Sequence, residues 1–172
     1  MNSVSLFVEN RAEELMLERV FADYVRKGQV RVVMCWEASS AVSLAESSLL
    51  RSPATAVAVV LNCAAPNPDE FRIPVESILG RSGPSDRWLL ALAVPDITTW
   101  LRSDSNFNAA LTAARPTVPP SKIDIAVFFK NWFDATSGRI VDRAAIEAEN
   151  VEFEKLASFI RLHTVAPSRV AG

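Results

Sequence analysis

Ala56-Val57-Ala58-Val59-Val60-Leu61, running into Asn62-Cys63-Ala64, is the most informative stretch of the chain. Six apolar residues without polar alternation predict a strand buried on both faces, the centre of a parallel sheet. In open α/β sheets ligands sit just beyond the carboxyl ends of the central strands. Asn62, Cys63 and Ala64 therefore mark where a site belongs, yet they supply neither a carboxylate nor a base.

The residues on the amino-terminal side place this strand third in a β-α-β-α-β series. Residues 4–8 form a short apolar strand, and Asn10 caps a helix with Glu13 at its third position, a capping-box spacing. Leu17, Val20, Phe21 and Tyr24 recur at helical spacing until Lys27-Gly28 ends the run. A second strand covers 30–36, and a helix over 39–50 stops at Ser52-Pro53. This order implies parallel strands joined by right-handed crossovers. It also sets strand 4–8 beside strand 56–61, which brings Glu9 and Asn62 to the same sheet edge.

Downstream, a helix is expected over 69–79, with Pro74 breaking it or forcing a late start. Residues 80–84 are a turn, 88–94 another buried strand, and Pro95 opens a short helix over 96–101. Residues 106–114 are helical, and 115–120, with three prolines, form a hinge or surface crossing. Ser121 caps a helix reaching Phe133, and Asp142 caps a last helical stretch to His163 that breaks near Asn150. Residues 1–164 are thus one three-layer α/β domain: a mostly parallel four-stranded sheet, helices on both faces, and a helical C-terminal third. Residues 165–172 are expected to be a disordered tail.

Composition narrows the functional classes. At 172 residues the chain is sized for one core, and 49% hydrophobic with 22% charged residues is ordinary for a soluble globular protein. A net charge of −2 gives no overall basic field to recruit nucleic acid or an anionic membrane. Two cysteines do not make a disulfide framework, which points to the reducing cytoplasm. Residues 1–9 lack the basic region and the apolar length of a signal peptide. No uninterrupted apolar run is long enough to span a bilayer. There is no glycine-rich phosphate loop and no nucleophile elbow.

Phe7-Val8-Glu9-Asn10, followed by a helix containing Glu13-Glu14, resembles the Val-Glu-Gly start of toprim-like domains, most closely those related to the overcoming-lysogenisation-defect (OLD) nucleases. Pro95-Asp96-Ile97-Thr98-Thr99-Trp100-Leu101 resembles that family's Pro-x-Ile-Glu-x-Trp-Leu, which runs on to an aspartate, here Asp104. Pro120-Ser121-Lys122 resembles its Pro-x-Lys. The resemblance implies a toprim-like fold and a carboxylate cluster holding Mg²⁺ for phosphoryl chemistry, because hard cations need anionic oxygen ligands. Of the implied carboxylates Glu9 survives, while Asn62 and Ala64 replace an aspartate pair and Thr98 replaces a glutamate. A single carboxylate competes poorly with water for Mg²⁺. The resemblance therefore implies a kept fold and a lost metal site.

The remaining residues each admit a functional and a plainer role. Glu9 is either a surviving metal ligand or base, or a carboxylate favoured by the helix N-terminus. Asp96 either substitutes for the missing glutamate at Thr98 or caps the short helix after Pro95. Cys35 and Cys63 are either a redox pair or small buried hydrophobes. His163, the only histidine, cannot make a histidine-rich zinc site and suits a helix end. Trp88, Trp100 and Trp132 are either core or an aromatic docking patch. Arg102, Arg115, Lys122 and Lys130 are either a basic strip or scattered surface cations.

The leading expectation is a catalytically degenerate toprim-like protein that acts through protein–protein contacts, with no cofactor. The resemblance adds a bacterial defence or mobile-element setting by analogy. The alternative is an Mg²⁺-dependent nuclease or phosphoryl-transfer enzyme with a site rebuilt from Glu9, Asp96 and Glu13. A nucleic-acid-binding module without chemistry is the third reading. Phe128, Phe129, Trp132, Phe133, Phe153, Leu156, Phe159 and Ile160, with Ile125, are many large side chains for one side of a small sheet. That excess predicts an exposed patch, and with it a homodimer or a protein partner.

Overall fold

The computed structural model describes residues 3–114, 125–135 and 141–164. The expectations for the tail, for the proline-rich crossing and for Pro120-Ser121-Lys122 fall outside those residues. The chain runs β1 (Ser3–Val8), α1 (Arg11–Val20), α2 (Ala22–Arg26), β2 (Val30–Met34), α3 (Ala38–Arg51), β3 (Thr55–Asn62), α4 (Pro68–Ser82) and β4 (Trp88–Ala93). Five helices complete the described chain: α5 (Thr98–Leu101), α6 (Ser105–Ala114), α7 (Ile125–Ala135), α8 (Arg143–Glu149) and α9 (Val151–Thr164). The sheet order is β2-β1-β3-β4 and every pairing is parallel.

β3 is an inner strand, as its uniform apolarity requires, and its two faces carry different loads. Ala56, Ala58 and Val60 share a core with Leu6, Met16, Phe21, Trp100, Phe107, Phe129 and Phe153. Val57, Val59 and Leu61 share the opposite core with Phe7, Leu49, Leu79 and Leu90. Two alanines and a valine thus face the aromatic layer, and two valines and a leucine face the α3–α4 layer.

Four expected boundaries move. The first helix is interrupted at Phe21, which is buried and stacks on Phe153 with centroids 5.6 Å apart. Pro74 does not break α4, which runs unbroken from Pro68 to Ser82. An interior proline costs about 3 kcal/mol, and burial of Val75 and Leu79 beneath the same helix opposes that cost. Pro95 does not open a helix at its first turn. It follows a cis peptide bond from Val94, and α5 starts three residues later. Trp36, expected within the second strand, lies beyond β2 with φ +69°.

The expected apolar excess of the C-terminal third is largely consumed by the core. Phe129, Phe133, Phe153, Leu156 and Ile160 are buried, and Phe128, Trp132 and Phe159 pack partly buried against them. An exposed patch of these residues is therefore not found among the described residues. They form a ring cluster, with Phe107 5.2 Å from Trp132 and 5.5 Å from Phe129. Asp104, buried beneath this layer, accepts the backbone N–H groups of Asn106, Phe107 and Asp142, each at 3.0 Å. It clamps the start of α6 to the approach of α8.

The β4 edge of the sheet is covered by side chains from both helical layers. At β4, Glu152 on α9 accepts the Leu92 N–H at 3.1 Å, and Arg72 on α4 donates to the Leu90 carbonyl at 3.3 Å. Arg72 and Glu152 also pair with each other at 2.8 Å. One ion pair thus joins the two helical layers across the edge and occupies backbone groups that would otherwise template another strand. Burial works to raise the Glu152 carboxyl, but hydrogen bonds from Lys155, Arg72 and Leu92 outweigh it and hold the carboxyl below its ordinary range.

Candidate functional site

The site is assembled by the cap of α1. Asn10, with extended backbone, accepts from the N–H groups of Ala12 (2.9 Å) and Glu13 (3.3 Å). Glu13 reaches back, its Oε2 accepting from the N–H groups of Glu9 (2.8 Å) and Asn10 (3.2 Å). This reciprocal capping box satisfies donors that a helix start leaves unpaired. Because β1 runs straight into it, the cap also sets two carboxylates at the carboxyl edge of the sheet.

β3 delivers Asn62 to the same place. Its backbone N–H donates to Glu9 Oε1 at 3.0 Å, its Nδ2 donates to Glu13 Oε1, and its Oδ1 accepts the Ile97 N–H at 2.9 Å. Asn62 therefore ties the end of β1, the start of α1 and the β4–α5 connection into one junction. Its amide suits the task, since it offers a donor towards the carboxylates and an acceptor towards a backbone N–H. An aspartate could serve only the second.

Glu13 is the most perturbed group there. Its side chain is fully buried. Burial pushes its carboxyl up to about 8, the Glu9 charge pushes the same way, and the N–H groups of Glu9 and Asn10 pull against both. Glu13 therefore keeps a proton near neutrality, beside the half-buried Glu9. Glu13 has the proton affinity of a general acid, but no exposed atom for a substrate to meet.

The other expected residues fall on both sides of the prediction. Asp96 Oδ1 accepts from the Thr98 N–H at 2.8 Å and from the Thr98 hydroxyl at 2.5 Å, so it organises the first turn of α5. Thr98 is buried and Ala64 is exposed. Cys35 and Cys63 are free and buried in one core layer, and burial pushes the Cys35 thiol up, away from nucleophilic use. His163 contacts the Asp86 carbonyl at 2.8 Å and the Phe159 ring at the end of α9. Trp100 is buried, and Trp88 donates to the Gly83 carbonyl at 3.3 Å. Of the basic strip, Lys130 pairs with Asp134 at 2.8 Å on its own helix, while Arg115 and Lys122 lie outside the described residues.

These groups do not fit a Mg²⁺ centre. The ion needs converging oxygen lone pairs. Asn62 instead turns its NH₂ towards the carboxylates and its oxygen away, and both oxygens of Glu13 already accept N–H donors. Among the described residues no group of three or more Asp, Glu, His or Cys side chains could hold a metal ion. Likewise, no helix among them is long and apolar enough to cross a membrane.

Sequence reasoning named Glu13 for its cap and as a third carboxylate of a rebuilt site, but missed it as the hub. The available signal was the cap's position directly after a strand, which obliges its carboxylate to lie at the sheet edge. Comparison of the chain with protein-family models, with curated proteins and with solved structures returns no match.

Proposed function

We propose that the chain is a toprim-like protein whose metal site has been replaced by a hydrogen-bonded junction, and that it works through contacts with other proteins rather than by phosphoryl transfer. The observation that carries this reading is Asn62. It stands where the resemblance expects an aspartate, and its NH₂ donates to Glu13 where a metal ligand would present a lone pair. Ala64 and Thr98, at the other two expected carboxylate positions, add no charge. Two free buried cysteines agree with a reducing cytoplasmic setting, and the resemblance suggests bacterial defence or a mobile element by analogy.

The test uses the unmodified protein. Mg²⁺ and Mn²⁺ should neither raise its melting temperature nor support cleavage of DNA or RNA, since only ligands that prefer the folded state stabilise it. Metal-dependent cleavage that Glu9→Gln abolishes would overturn the reading in favour of a rebuilt carboxylate site.

A further inference from the structure

Trp36 is 78% exposed and has φ +69°, a left-handed conformation that bulky residues rarely adopt. Nothing in the core repays that strain, since the ring projects into solvent rather than into either packed layer. Strained residues of this kind cluster at functional sites. Position strengthens the case. Trp36 follows β2, the Cys35 N–H pairs with the Val8 carbonyl at 2.8 Å, and Glu9 comes next on β1.

Across the same edge lie exposed Pro66, from the β3–α4 loop, and Val94, from the β4–α5 connection. Other large exposed apolar residues, such as Leu50 and Leu162, sit at the last turns of α3 and α9. The charged groups along this line, Arg11 apart, are acidic: Glu37 is exposed, and Glu9 and Asp96 are half-buried. The nearby cation Arg11 is already paired with Glu14.

We infer that this carboxyl edge is a docking face for a short basic, extended segment of a partner protein, with Trp36 as its anchor. Strands lie about 4.7–4.9 Å apart, so the line from Trp36 across β1 and β3 to Val94 spans about 14–15 Å. An extended chain covers that distance with about four to five residues. Lysine or arginine side chains match both features of the face. Their aliphatic stems cover Pro66 and Val94, and their charges meet the Trp36 ring and the carboxylates. Phosphate-bearing ligands would meet like charge there. The inference specifies the partner chemistry for the protein-contact reading and rests on it.

The experiment titrates the protein with an alternating lysine–leucine pentapeptide, its glutamate–leucine counterpart and oligothymidylate, following binding by isothermal titration calorimetry. Trp36→Gly is the decisive variant, because glycine adopts the left-handed region freely. It should melt at or above the wild-type temperature yet bind the basic peptide about tenfold more weakly. Glu37→Gln should weaken binding less, and salt should weaken it in the wild type. The inference is overturned if the wild type ignores the basic peptide at millimolar concentration or prefers either acidic probe. It is also overturned if Trp36→Gly binds equally or melts lower. Failure here leaves the metal-free reading intact, whereas Mg²⁺-dependent cleavage would remove that reading whatever the peptides do.

Discussion

Asn62→Asp isolates what the junction does. The substitution keeps the acceptor for the Ile97 N–H but replaces the donor facing Glu13 with an oxygen. While Glu13 keeps its proton the lost hydrogen bond costs about 0.5–1.5 kcal/mol, and once it ionises about 1.5–3 kcal/mol. Two carboxylates about 4 Å apart repel by about 4 kcal/mol at an effective dielectric near 20. Part of that repulsion is relieved by protonation, because Glu13 already keeps its proton up to about 8 and a protonated Glu13 can donate to the new carboxylate. A net loss of about 1–3 kcal/mol near neutral pH follows, against the 5–15 kcal/mol typical of a domain, and it rises as Glu13 ionises. With a urea slope of about 2 kcal/mol per molar, inside the usual range of about 1–3, the midpoint should fall by about 0.5–1.5 M. Urea titrations at acidic and mildly alkaline pH supply the check, and the deficit should grow with pH. Adding Ala64→Asp should deepen the loss without metal and make the protein responsive to Mg²⁺. A single variant as stable as the wild type at neutral pH would refute the junction.

Two further outcomes follow from named contacts. Glu13 is pushed up from 4.5 to about 8, so between those values the folded state holds a proton that the unfolded chain releases. Its contribution is therefore present below about 4.5 and lost as pH rises through about 8, and Glu13→Gln should flatten that fall in melting temperature. At the β4 edge, Glu152→Ala leaves Arg72 and the Leu92 N–H without their shared acceptor. It should cost about 2–4 kcal/mol, somewhat below the value for a fully buried pair, and should raise aggregation measured by light scattering, while Glu152→Gln loses less.

The β-α-β-α-β order, the inner position of β3, the Asn10–Glu13 cap and the break at Asn150 were legible in the sequence, because each follows from local periodicity or local capping chemistry. The meeting of Glu9 and Asn62 at one edge was legible too, since parallel strands joined by crossovers leave their carboxyl ends together. The fate of particular side chains was not. Asp96 reads equally as an acid or a cap until the Thr98 N–H and hydroxyl are found on one of its oxygens. Pro74 carries a local penalty that only burial on the far side of α4 outweighs. The aromatic run of α7 has the same spacing whether it meets solvent or Phe107. Glu13 and Asn62 are 49 residues apart, and their hydrogen bond exists only because β1 and β3 pair in register. Local sequence fixes which groups a segment carries and which way it coils; burial, proton affinity and the choice of partner depend on groups brought in from elsewhere in the chain, and those are decided only when the layers close.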